Sequence, residues 1–319
     1  MSYPSDLAIV PALRSERLRA VGAAAHEDVL HGLKARRLPA RLLYDAPGFE
    51  LLERAWHDPS FYPARRERDL LATQLPELAR AIGPDTRVIE PWHGDLARTI
   101  EILGALRPAI YIPIDGNASR LAAHAAALRA ALPALDVQPA VTLDEVLPRT
   151  RPFTRTLALL PGTALSSLEP SAAVRLLTLF AALVGEDGVL LVGADATSDP
   201  AALAAAYETP AHDRWARHAL ATLPTDADAF AFGTRWHPAA TRLDLVLAAR
   251  RTLTVTLAGE PFDFAVGDTL AIDHRYQHGT EAMHAMLGIA GWRPHIVLTA
   301  SPEPMRIWLC DRWRRDRHR

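Results

Sequence analysis

The residues of this chain best suited to chemistry are acids and glycines set at the ends of short apolar runs. Glu90 closes the run Arg87-Val88-Ile89, and Gly94 follows it within RVIEPWHGDLART, residues 87 to 99. A glycine between a short strand and a helix start marks a candidate cofactor-binding turn, with Asp95 able to cap a helix carrying Ile100, Ile102 and Leu103. Asp115 closes a second apolar run, Ala109 to Ile114, and the loop PGTALSSLEP follows a later one that ends at Leu160. If these runs are parallel strands, Glu90, Asp115 and that loop share the carboxyl edge of one sheet, where such folds bind ligands. Other chemistries lack their motifs: there is no HExxH, no pair of cysteines, no GxSxG and no P-loop. His274 and His278 have i,i+4 spacing, but the segment around Tyr276 does not read as a helix, so no metal site is expected.

The elements that must hold these residues alternate. A helix is expected over Glu27 to Arg36. Two helices joined by a proline-containing turn follow, with Phe49, Leu51, Leu52 and Trp56 near helical spacing and Asp58-Pro59 as a stop. Periodicity alone makes Tyr44, Phe61 and Tyr62 core aromatics with polar tips. From the helix Leu70 to Ile82 onward, strands at Val88-Ile89, Ala109 to Ile114, Val137 to Val141, Thr156 to Leu160 and Val189 to Val192 alternate with helices at Arg120 to Leu132 and Ser171 to Val184. Such alternation argues for a parallel sheet covered on both faces. Beyond Asp199 the pattern changes. Residues 200 to 220 look helical, while TRLDLVLAA (from Thr241), LTVTL (from Leu253) and the run from Phe262 to the Gly267-Asp268 turn suit antiparallel pairing in a second domain. After a helix from Thr280 to Ala290, Trp292 to Thr299 and Met305 to Cys310 read as a hairpin that closes the edge of the first sheet.

Composition narrows the partner. The chain has 319 residues, 49% hydrophobic and 23% charged, enough for one large or two modest globular domains. Lys plus Arg total 35 against 37 for Asp plus Glu, which gives no reason to expect nucleic acid or an anionic membrane, so a small metabolite fits better. The single cysteine, Cys310, sits in an apolar run and reads as core. With no signal core at the N-terminus and no run of membrane-spanning length, the expectation is a cytoplasmic protein.

Longer phrases carry a resemblance. YDAPGFELLERAWHDPSFYPARRE, from Tyr44 to Glu67, resembles the Y-D-x-x-G-x-x-L-F…P-x-Y-Y-P-T-R-x-E signature of the ergothioneine-pathway histidine Nα-methyltransferases. EPWHGDLART stands where that family has E-L-G-S-G-T-x-x-K-T, YIPIDGNASRL resembles Y-V-P-V-D-V-S-x-x-x-L, LLPGTALSSLEP resembles F-L-G-x-T-I-G-N-L-x-P, and DPAALAAAYE matches D-P-x-x-L-x-x-A-Y-D. The likeness runs from about residue 30 through most of the chain. It implies an α/β fold: a class I methyltransferase (Rossmann-like) sheet over 67–199 and 278–319, with a second, smaller α+β domain over 1–66 and 200–277 on the substrate side. It also implies S-adenosyl-L-methionine (AdoMet) as cofactor and a small amine or amino acid as substrate.

By position, the resemblance implies that Tyr44, Glu90, Gly94, Arg98 and Asp115 hold AdoMet, Asp115 accepting hydrogen bonds from the ribose diol. It implies that Tyr62 and Tyr207 line the amino-acid pocket and orient the amine, with Ser166 or Ser167, Asp273 and Arg275 as further substrate contacts. Four departures set this chain apart. Trp92 and His93 replace a Gly-Ser pair, and Asp95 replaces a threonine, where it either caps the helix or opposes the methionine carboxylate. A serine stands for the family asparagine of T-I-G-N-L. Asp273 and Arg275 stand where the family reads imidazole with Glu and Ser. The expected activity is therefore N-methylation of a small amino acid other than histidine; unaltered histidine Nα-methylation and a scaffold that has lost methyl transfer are the alternatives.

Overall fold

The computed structural model describes residues 23–91, 94–146, 154–300 and 305–313. The chain opens with helices α1 (Ala23–Lys34), α2 (Ala46–Trp56) and α3 (Tyr62–Ile82). It then alternates β1 (Arg87–Pro91), α4 (Leu96–Leu106), β2 (Ile110–Ile114), α5 (Ala118–Ala131), β3 (Asp136–Val137), β4 (Thr156–Leu160), α6 (Pro170–Val184) and β5 (Val189–Asp195). Helices α7 (Pro200–Tyr207) and α8 (Pro210–His218) lead to strands β6 (Phe230–His237), β7 (Arg242–Ala249), β8 (Leu253–Leu257), β9 (Glu260–Phe264) and β10 (Thr269–Tyr276). Helix α9 (Thr280–Ile289) and strands β11 (Trp292–Thr299) and β12 (Met305–Arg312) close it. Among the described residues two compact units result, one of Arg65–Ala196 with residues 278–313, the other of residues 23–64 with Thr197–Gln277.

The first unit is built on a seven-stranded sheet in the order β11-β12-β5-β4-β1-β2-β3. Strands β1 to β5 run parallel, β12 pairs antiparallel with β5, and β11 with β12. The order reverses between β1 and β4, which opens a crevice at their carboxyl ends. This is a Rossmann-like sheet, with the expected hairpin at its edge. Every residue of β1, β2, β4 and β5 is buried, as a sheet covered on both faces requires. Alternate side chains supply two cores. Ile89, Ile112, Leu160 and Val192 meet Phe180 of α6 and Met283 of α9, while Val88, Tyr111, Leu157 and Leu191 meet Leu78 of α3 and Leu103 of α4. Each large apolar side chain taken out of water adds about 1.5–3 kcal/mol.

The second unit packs its helices with a three-stranded antiparallel sheet, order β10-β7-β6, and a two-stranded one, β8-β9. Its core gathers Leu43, Trp215, Phe230, Leu245, Leu247 and Leu270. The helical stretch expected over residues 200 to 220 is two helices, because Thr209 accepts a bond from His212 N–H and Pro210 starts a new first turn. Helix α3 begins at Tyr62, earlier than periodicity suggests, and contains Pro76. The third strand shortens to Asp136–Val137, with an isolated bridge from Ala140 to Ile114. No helix among the described residues is long and apolar enough to cross a membrane.

Candidate active site

In the first unit the carboxyl ends of β1 and β2 carry Glu90 and Asp115, the two acids singled out by pattern. Glu90 is 1% exposed; its Oε2 accepts from the Tyr111 hydroxyl at 2.6 Å, and its Oε1 lies 3.6 Å from Arg98 Nη2. Burial pushes the Glu90 carboxyl above its ordinary range, against the pull of Arg98 and the Tyr111 hydrogen bond. Arg98, on α4, also donates Nη1 to Glu67 Oε2 at 2.9 Å. Burial works to lower the Arg98 pKa, but Glu67 and Glu90 outweigh it and hold the guanidinium above its usual value. Glu67 in turn accepts from the Gly162 N–H. One buried carboxylate thereby ties α3 to α4 and to the loop after β4.

Glycines make room for that arrangement. A Cβ on Gly94 would lie 2.6 Å from Arg98 Nη2. Gly162 adopts φ +74°, a left-handed conformation that glycine takes without strain, and a Cβ on Gly193 of β5 would come within 2.7 Å of the Gly162 carbonyl oxygen. Asp95 caps α4, accepting from the Ala97 N–H at 2.9 Å, so the cap reading of this residue describes its geometry. Trp92 and His93 lie outside the described residues. Asp115 accepts from Asn117 N–H at 2.8 Å and pairs with Arg120 of α5; burial raises its carboxyl while Arg120 lowers it. In the loop after β4, Ser166 Oγ donates to Thr163 O at 2.6 Å and Ser167 Oγ to Ala164 O at 3.1 Å. Both hydroxyl protons are used within their own turn, leaving oxygen lone pairs as what they can offer a ligand.

The second unit brings four of the sequence-selected residues into one neighbourhood. Tyr44 donates its hydroxyl to Asp273 Oδ2 at 2.6 Å. Arg275 donates Nη1 to the same oxygen at 2.6 Å and Nη2 to the Tyr44 oxygen at 3.1 Å. Tyr44 thus belongs to the group containing the two residues assigned to substrate. Arg275 stacks 5.9 Å from the Trp215 ring centre; burial works to lower its pKa, but Asp273, Tyr44 and Tyr207 outweigh that and hold the guanidinium pKa above its usual value. Tyr207 packs edge-on against Phe61, with centroids 5.3 Å apart, and lies 5.4 Å from the His212 ring. His212 is pushed down to about 4, chiefly by burial and further by Arg275. Tyr62 is buried in the same core.

Glu67, Tyr111, Arg120, His212 and Trp215 escaped the sequence reading. Glu67 lies inside the quoted signature, and its burial as an acid is the signal that only coordinates reveal. Among the described residues no group of His, Cys, Asp and Glu is disposed to hold a metal ion. A cavity of about 500 Å³ lined by both charges, Arg155, Arg293 and Arg312 with Glu186, Asp187 and Asp311, opens at the amino ends of β4 and β5, the opposite edge from Glu90 and Asp115.

Comparison with known proteins decides the family. A model described as "Histidine-specific methyltransferase, SAM-dependent" matches residues 25–312. The chain belongs to that family. This methyltransferase is 29% identical over 287 residues to histidine N-alpha-methyltransferase of Mycolicibacterium smegmatis, an alignment covering 85% of this chain and 89% of the relative. It is 28% identical over 264 residues to N-methyltransferase fsqC of Aspergillus fumigatus, covering 76% and 71%. A 101-residue stretch is 31% identical to 4-dimethylallyltryptophan N-methyltransferase easF of Claviceps fusiformis, covering 30% of this chain and 28% of that one. It is an AdoMet-dependent enzyme, and its first unit suits the cofactor. Glu90 Oε1 is buried without a hydrogen-bond partner among the described residues, an acceptor left for an ammonium donor. Asp115 stands at the end of the neighbouring strand, and the lack of a Cβ at Gly94 and Gly162 is what lets the Arg98 guanidinium lie between them.

Proposed function

We propose that this methyltransferase acts on the nitrogen of a small amino acid or related amine other than histidine. The observation that carries this reading is the closed Tyr44–Asp273–Arg275 cluster. Asp273 there already accepts from Tyr44, Arg275 and the His274 N–H, so most of its acceptor capacity is spent within the cluster and a cation stands beside it, a poor setting for an imidazole N–H. Its relatives' names span histidine and a prenylated tryptophan, so the family tolerates a changed acceptor side chain.

Bound AdoMet supplies a sulfonium methyl that is already electrophilic, so the protein's task is to hold an unprotonated amine and exclude competing nucleophiles. On the cofactor side, Glu90 takes the methionine ammonium and Asp115 the ribose hydroxyls, with Arg98 held back by Glu67 and Glu90. On the acceptor side, Tyr62 and Tyr207 of the second unit orient the amine. The scaffold without transfer activity gains no support from these relatives, all of which carry methyltransferase names.

Titration calorimetry with AdoMet and S-adenosylhomocysteine, followed by methyl-transfer assays over an amino-acid panel, tests the reading. Micromolar cofactor binding with transfer to an amine other than histidine is expected. Transfer to histidine in preference to every other amine would refute it. Tyr62→Phe and Tyr207→Phe should each cut turnover, and wild-type rates from the double variant would remove the orienting role.

A further inference from the structure

The acid at the end of β2 is held from two sides by the helix that follows it. Asp115 is 4% exposed; its Oδ1 accepts from the Asn117 N–H at 2.8 Å, and its Oδ2 pairs with Arg120 Nη1. Asn117 caps α5 by accepting from the Arg120 N–H at 3.1 Å, so the turn that starts the helix also sets where the guanidinium returns to the strand end. Arg120 falls on an unspecified position of the phrase Y-V-P-V-D-V-S-x-x-x-L, which makes the pair a feature of this chain and not of the signature.

Stability alone gives a poor account of such a pair. Taking two charges out of water costs about as much as their attraction returns, and apolar groups of similar volume often serve as well. The pair suits a place where a carboxylate must stay charged beneath a ligand group that carries no charge. Asp115 follows Ile114, the residue in register with Pro91 of β1, and so lies on the carboxyl edge next to the cofactor turn. The ribose of AdoMet offers two vicinal hydroxyl donors and no cation. Covering Asp115 with it removes water from a carboxyl that burial already raises against the pull of Arg120. A protonated Asp115 would set a donor against two donors.

The other groups that feel the Arg120 charge do not replace it. Glu90 is itself an acid, and the Tyr111 hydroxyl donates to it. Burial, helped by Arg120 and Arg98, pushes His124 down to about 4, so it is neutral at pH 7. Arg98 is engaged by Glu67 and Glu90. A carboxylate has about four acceptor sites, so the bonds from Asn117 and Arg120 orient Asp115 without closing it to a ligand.

Resting on the assignment of the ribose hydroxyls to Asp115, we propose that Arg120 is a positioning residue for AdoMet: it supplies the countercharge that a neutral diol lacks, fixes the carboxylate, and makes the site discriminate ribose from its deoxy forms. Asp115 is the contact.

The test is calorimetric binding of S-adenosylhomocysteine and of its 2′,3′-dideoxy counterpart to the full chain; the amino-acid end is common to both and cancels in the ratio of affinities. Wild type should favour the diol by at least about thirtyfold, as expected for two hydrogen bonds to a charged acceptor. Arg120→Met should lower that ratio at least about fivefold, and Arg120→Lys, which keeps the charge, should lower it less. In an Asp115→Asn background, Arg120→Met should leave the ratio unmoved. A merely structural role would weaken both ligands together and preserve the wild-type ratio. A smaller fall in folded Arg120→Met, or an Arg120→Lys ratio no higher than that of Arg120→Met, overturns the inference. If Arg120→Met does not fold, Arg120→Gln takes its place, and failure of both to fold makes the pair structural and overturns the inference as well. A wild-type preference that survives in Arg120→Met overturns only this inference; wild type that binds neither ligand, or both equally, overturns the ribose assignment beneath it.

Discussion

Glu67→Gln isolates the buried cluster that joins α3, α4 and the loop after β4. Glutamine keeps the shape of the side chain and can still accept the Gly162 N–H, so the loss falls on the 2.9 Å bond from Arg98. A charge-assisted hydrogen bond is worth about 1.5–3 kcal/mol net, whereas orphaning a buried charge costs roughly 3–5 kcal/mol. Arg98 retains Glu90 at 3.6 Å, so the smaller range applies and about 2 kcal/mol is expected. For a unit of this size, that corresponds to a Tm lower by about 4–8 °C. Removing the Glu67 charge also removes one of the causes that raise the Glu90 carboxyl, so Glu90 should ionise at lower pH in the variant. Thermal unfolding of wild type, Glu67→Gln, Arg98→Met and the double variant gives the coupling directly. Strict additivity, or an unchanged Tm in Glu67→Gln, would refute the claim that this bond holds the cluster together.

Two further outcomes are expected. His212 is held at about 4 from an ordinary 6.5, so the unfolded chain takes up its proton first as the pH falls. Its contribution is complete above 6.5 and is lost between 6.5 and about 4, amounting to roughly 3 kcal/mol; urea unfolding of His212→Asn should show a flatter stability profile across that window, and an unchanged slope would contradict a neutral buried imidazole. Gly162→Ala forces a left-handed φ on alanine at a cost of about 1–2 kcal/mol, and Gly193→Ala drives a Cβ to 2.7 Å from a backbone carbonyl that cannot rotate away. Denaturation midpoints for both should fall, with cofactor affinity falling in Gly193→Ala because the loop after β4 must shift; wild-type values would show that this approach is not tight.

Much of this protein was legible before any coordinates. Apolar runs at Val88-Ile89, Ala109 to Ile114, Thr156 to Leu160 and Val189 to Val192 can be buried on both sides only as central parallel strands, and they are β1, β2, β4 and β5. Local signals also placed Asp95 at a helix start and Glu90 and Asp115 at strand ends. These are short-range properties, set by residues a few positions apart. The family could be read the same way, because its signature is contiguous.

Tertiary structure decided what depends on partners distant in sequence. Glu67 meets Gly162 across 95 positions and Tyr44 meets Asp273 across 229, separations at which periodicity says nothing. The alternation of β10 gave no warning that a bulge would bring Asp273 and Arg275 inward, since one extra residue reverses the facing of everything after it. Nor does an arginine beside an aspartate in sequence declare whether it is a free cation for an acidic ligand or half of a neutral pair. Only the 2.6 Å separation and shared burial answer that, because charge balance in a dry site is a property of three-dimensional neighbours, while the chain by itself supplies the groups and their order.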